Sequence, residues 1–162
     1  MGNSEPKPAE TVASPQSKLA VEGAVKLADL EVPLSSIRPG STPPLTIQDS
    51  SDGVCIILNF GKDQPRQHVS ALVMTIINKS PEPMSEFELK AVVPKGCKVR
   101  LLAASGKELP AHNPFVPPSA ITQVMLIANP NNVDPVSLKY VLSYVQDEEP
   151  LTEMGQVAKL PL

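Results

Sequence analysis

Apolar and polar residues alternate from Glu86 to Val93: Phe87, Leu89, Ala91 and Val93 share one side, and Glu86, Glu88, Lys90 and Val92 share the other. A period of two predicts a β-strand with one face in a core and one in water. Pro94 ends the strand by removing a backbone donor, and Gly96 permits a tight bend. The alternation then resumes over residues 98–101 as a second short strand. Val92 breaks the rule. A β-branched apolar residue on an otherwise charged side, followed by Pro94 and Lys95, predicts a small apolar spot ringed by positive charge. Single exposed apolar residues are common, so the pattern alone assigns Val92 no role.

Comparable patterns flank this stretch. Residues 45–49 and 54–60 are separated by Ser51, Asp52 and Gly53, a hairpin signal because Gly supplies the positive φ of the turn. After a polar loop, residues 69–77 are nearly continuously apolar and predict a central strand with little solvent exposure. Pro81 and Pro83 break the chain before Glu86. Downstream, Pro110, Pro114, Pro117 and Pro118 mark a crossing, residues 120–128 a strand, and residues 129–132 a turn. The clearest alternation follows, with Val136, Leu138, Tyr140, Leu142 and Tyr144 facing a core and Ser137, Lys139, Val141 and Ser143 facing out. An acidic turn over residues 147–149 precedes a last segment around Val157.

At the other end, Leu27, Leu30, Val32, Leu34 and Ile37, interrupted by Pro33 and Pro39, predict an extended arm on the domain with short strand pieces. Residues 1–24 hold few large apolar groups, cannot offset the entropy of ordering, and are expected to form a disordered hinge or linker before a domain over residues 25–162. About eight short strands with turns between them, and no amphipathic helix, predict an all-β antiparallel sandwich.

Composition narrows the function. With 19 prolines against 8 glycines, long helices are disfavoured; 3% aromatics, no Trp and a net charge of -3 weigh against a nucleic-acid reader with stacking platforms, and no basic run offers a phosphate track. Cys55 and Cys97 have no His near them in sequence, so neither a metal site nor a cofactor is expected. The two could form one disulfide, but the opening residues contain no apolar signal run, and an intracellular protein with reduced thiols is expected. Asn78-Lys79-Ser80 is then a chance glycosylation pattern, and Pro6 stands where N-myristoylation needs Ser or Thr, so no membrane insertion is expected. His68 and His112 stand beside no nucleophile, Glu148 and Glu149 read as a charged loop tip, and no Gly-rich phosphate loop is present. These residues do not support an enzyme.

Several runs resemble the gamma-adaptin ear, and more narrowly the ear of the GGA proteins, the Golgi-localised, gamma-ear-containing, ARF-binding clathrin adaptors. They are Val32-Pro33-Leu34-Ser35-Ser36-Ile37-Arg38-Pro39; Ala91-Val92-Val93-Pro94-Lys95 with Lys98-Val99-Arg100-Leu101; and Ala120-Ile121-Thr122-Gln123-Val124-Met125-Leu126 with Asn129-Pro130. The resemblance extends over residues 27–162 and implies an immunoglobulin-like sandwich, monomeric, cytoplasmic and peripheral at trans-Golgi network and endosome membranes. Such ears work with the clathrin-coat machinery and capture short Phe-Gly-Pro-hydrophobic peptides with acidic flanks in trafficking accessory proteins.

Carried over by position, the resemblance places a peptide pocket on Val92, Pro94, Lys95 and Leu101, with Cys97 beside them, and a basic group on Ser137, Lys139 and Val141, of which only Lys139 is basic here. Val92 stands where the family tends to have Ala, which makes the expected pocket shallower. Leu101 is drawn both ways, to the pocket by the resemblance and to the core by its alternation with Lys98 and Arg100. The competing reading is a structural immunoglobulin-like domain without a peptide site, in one version extracellular and held by a Cys55–Cys97 bridge.

Overall fold

The computed structural model describes residues 27–162; the hinge expected over residues 1–24 lies outside them. Eight strands follow one another: β1 (Leu45–Asp49), β2 (Val54–Phe60), β3 (Val69–Asn78), β4 (Met84–Val92), β5 (Lys98–Leu101), β6 (Ala120–Ala128), β7 (Leu138–Gln146) and β8 (Glu149–Val157). They form two antiparallel sheets, a five-stranded one in the order β1-β2-β3-β6-β5 and a three-stranded one in the order β4-β7-β8. The expected all-β sandwich is what the chain adopts.

The main core lies between the sheets, where Ile56, Leu58, Leu72, Met74, Met125, Leu138 and Leu142 are fully buried. A second cluster explains why β3 and β6 are nearly continuously apolar. Val69, Ala71, Val124, Leu126 and Ala128 point to the outer face of the large sheet, where Leu27 is buried against them and Leu30, Val32 and Ile37 pack alongside. Arg100 holds this arm down, donating from Nη1 to the carbonyls of Leu27 at 2.6 Å and Leu30 at 2.7 Å, and from Nη2 to Glu31 at 2.7 Å. The short strand pieces expected in the arm are absent. Instead Leu34–Ser36 make a 3-10 turn, with Ser36 Oγ donating to the Pro33 carbonyl at 2.8 Å, and Pro39 makes an isolated bridge to Gly61. Prolines 33 and 39 have no N–H to offer a ladder.

The cysteines are free. β3 and β6 separate β2, which carries Cys55, from β5, which follows Cys97. Three strand spacings amount to about 14 Å, well beyond disulfide reach. Burial raises both thiols above their ordinary value, which makes them poor nucleophiles.

Candidate functional site

The outward face of the small sheet is built by strand register. Lys90 and Val92 on β4 lie opposite Val141 and Lys139 on β7, and these lie opposite Met154 and Gln156 on β8. Two rows result, Val92-Lys139-Gln156 and Lys90-Val141-Met154, in which apolar and basic groups alternate diagonally. Directly opposed side chains in such a sheet stand about 5 Å apart at Cβ. Val92 is 62% exposed and Met154 73% exposed, and Val141 lies half-buried between them. The inward neighbours Leu89, Tyr140 and Leu142 are buried in the core, which fixes this face towards solvent.

At the end of β4 the chain turns tightly. The Cys97 N–H donates to the Pro94 carbonyl at 3.0 Å, and Gly96 has φ of 94°, the arrangement of a type II turn with Lys95 at its exposed corner. A Cβ on Gly96 would lie 3.0 Å from Val133 Cγ2, so both the turn and its surroundings demand glycine. The loop between β6 and β7 pins the turn from outside. Asn131 Nδ2 donates to the Gly96 carbonyl at 3.2 Å, while Asn129 bonds Val133 through both its amide atoms.

Of the residues expected at the site, Val92, Lys139 and Val141 share one face, with Pro94 and Lys95 at its corner and half-buried Ser137 just ahead of β7. Cys97 and Leu101 lie off this face. Both side chains pack against the main core, and Leu101 sits in β5 opposite Met125, as its alternation with Lys98 and Arg100 requires. Sequence reasoning missed Lys90 and Met154. Lys90 was visible in the alternation of β4, two residues before Val92. Met154 had no such signal, because β8 carries no apolar period.

No group of three or more His, Cys, Asp or Glu able to hold a metal occurs among the described residues. No helix among them is long and apolar enough to cross a membrane. What the arrangement offers is a shallow apolar strip with two ammonium groups beside it. It suits an extended peptide with an apolar anchor and acidic neighbours.

Residues 44–161 match the family described as the adaptin C-terminal domain. Over 139 residues, or 85% of the chain, the sequence is 42% identical to the mouse ADP-ribosylation factor-binding protein GGA3 and 40% identical to the human ADP-ribosylation factor-binding protein GGA1. The chain spans about a fifth of the length of these curated relatives, 19% and 21% respectively. The fold matches the crystal structure of the yeast GGA1 GAE domain with a TM-score of 0.62 at 23% identity, covering 74% of this chain and all of that one. The chain belongs to the adaptin C-terminal domain family and, within it, is similar in sequence to GGA proteins and in fold to a GGA ear.

Proposed function

We propose that this ear is a non-enzymatic peptide-binding appendage of a clathrin adaptor. In this reading it recruits accessory proteins through short Phe-Gly-Pro-hydrophobic motifs during transport between trans-Golgi network and endosomes. The observation that carries the reading is Val92, exposed on a folded sheet between Lys90 and Lys139. The aromatic anchor of the peptide covers Val92, Val141 and Met154, Pro94 and Lys95 bound its end, and Lys90 and Lys139 attract acidic flanks. Ser137 lines the approach, and Cys97 and Leu101 support the turn from the core side. Lys90 compensates for the neutral residues at positions 137 and 141, so the surface is more basic than its expected positions alone provide. So small a contact binds weakly, with a Kd of about 1 μM to 1 mM, and gains strength when several contacts combine.

Calorimetric titration with an acid-flanked Phe-Gly-Pro-Leu peptide tests this. Binding by the native chain and its loss in Val92→Asp is the expected result. Equal binding by both would remove the site from this face.

A further inference from the structure

The two ends of the small sheet carry opposite charge, and each offers an apolar feature to solvent. Where β4 begins and β7 turns into β8, Glu86, Glu108, Asp147 and Glu148 rim a groove floored by buried Met84 and Leu109. The proline-rich loop projects from the same end. Its His112 N–H donates to the Ser80 carbonyl at 2.8 Å, and Ser80 Oγ accepts from Gln146 Nε2, the last residue of β7, at 2.8 Å.

At the tip of this loop Asn113 folds the chain back on itself. Its Oδ1 accepts the Phe115 N–H at 3.0 Å, and its carbonyl accepts the Val116 N–H at 3.3 Å. Pro114 inside the turn and Pro117 and Pro118 after it restrict the backbone further. The Phe115 ring is left 92% exposed on a preformed turn. An apolar ring held in water gains from burial, and a turn already ordered loses little freedom on docking. At the far end of the same sheet lie Val92, Val141 and Met154 with Lys90, Lys95 and Lys139 around them.

We infer that this chain, which the resemblance implies is a monomer, associates weakly with itself head to tail at high concentration, the Phe115-Val116-Pro117 turn of one copy entering the Val92 surface of the next. The inference rests on the reading of that surface as a site for an aromatic residue followed at one remove by proline, and it names a second copy of the chain as an occupant. Acidic groups behind the Phe115 turn then face lysines around Val92. The two features lie at opposite ends, so one chain cannot satisfy itself, and each contact leaves a free head and a free tail. The association is weak, favoured by crowding of ears on a surface and by low salt, and an accessory peptide at the Val92 surface competes with it.

Sedimentation velocity from about 10 μM to about 1 mM chain tests this across the range expected for such contacts. The weight-average mass is expected to rise towards at least twice that of one chain, and to fall back on addition of Phe-Gly-Pro-Leu peptide. Phe115→Ser and Val92→Asp should each remain single chains, while an equimolar mixture of the two recovers a complex that stops at a pair, because each variant retains one intact half. A constant mass for the native chain, or a rise that Phe115→Ser leaves unchanged, overturns the inference. In either case, peptide binding that Val92→Asp abolishes would leave the proposed function standing, whereas failure of both experiments would dismiss the site as well.

Discussion

The two long sides of the sandwich are closed in different ways. On one, β1 and β8 come together over a set of shared polar groups. Tyr144 Oη donates to Glu153 Oε2 at 2.8 Å, Gln48 Nε2 donates to Glu153 Oε1 at 2.7 Å, and Tyr140 Oη bonds Gln48 Oε1 at 2.9 Å. Phe87 stacks on Tyr144 with centroids 5.2 Å apart. On the other side β4 and β5 are neighbours across the edge but belong to different sheets, and no backbone hydrogen bond among the described residues joins them. The first half of β4 is capped by the segment around Leu109, through the paired bonds of Met84 and Leu109 and the Phe87 N–H to the Lys107 carbonyl at 3.2 Å. Beyond Phe87 no backbone hydrogen bond among the described residues reaches the outer edge of β4. The difference is one of bonding: side chains on the β1–β8 side satisfy one another and hold the sheets together, while the proposed peptide surface adjoins the side that lacks such a set.

Substitutions on the closed side should cost stability, and those on the open side should cost binding. The largest effect is expected at Gly155, which lies under the Tyr140 ring, with Tyr140 Cζ only 2.6 Å from where a Cβ would be. Gly155→Ala displaces the ring and its bond to Gln48, and should lower unfolding free energy by about 3 kcal/mol in urea titrations. Tyr144→Phe comes next. It leaves one Glu153 oxygen without its donor and should cost about 1–2 kcal/mol, with peptide affinity unchanged.

The same tyrosines give the fold an alkaline limit. Burial, then the Glu153 carboxylate, raise Tyr144 above the ordinary phenol value, and Tyr140 is raised for the same reasons. Their contribution is therefore complete below about pH 10, where the unfolded phenols are protonated, and is lost as pH climbs above it because only the unfolded chain ionises readily. Stability should fall above that pH, and less steeply in Tyr144→Phe.

On the open side, Val92→Asp should weaken peptide binding at least about tenfold while shifting unfolding by no more than about 0.5 kcal/mol, since Val92 packs little. Lys139→Glu is expected to do least. Acid-flanked peptides should lose affinity a few-fold and neutral ones less, with the gap closing in high salt. Equal losses for both peptides would mean that Lys139 acts through packing.

The closed side was harder to read in the sequence than the core it borders. The faces of β4 and β7 follow from alternation, and Leu89, Tyr140, Leu142 and Tyr144 are buried as that alternation requires. β8 showed only as a segment around Val157, because the two inward positions between Leu151 and Val157 hold Glu153 and Gly155, which interrupt the apolar period. Their fitness depends on two tyrosines and a glutamine distant in sequence, which no local pattern reveals. The arm was legible as apolar cover but not in its conformation, since its carbonyls are satisfied by Arg100 from another element. At the candidate site, Val92 and Lys139 were found separately; that they stand directly opposite one another, with Lys90 and Met154 in the adjoining row, is a consequence of register. Register also decided Leu101, whose inward position follows from β5 pairing with β6.

The separation of the two sides is tested most directly by mapping amide shifts on the isotope-labelled chain during titration with the Phe-Gly-Pro-Leu peptide. Shifts centred on Lys90, Val92, Lys95 and Lys139, reaching β8 only around outward-facing Met154, with the amides of Gln48 and Tyr144 unmoved, are the predicted result. No shifts at millimolar peptide, or shifts centred on the β1–β8 side, would contradict it.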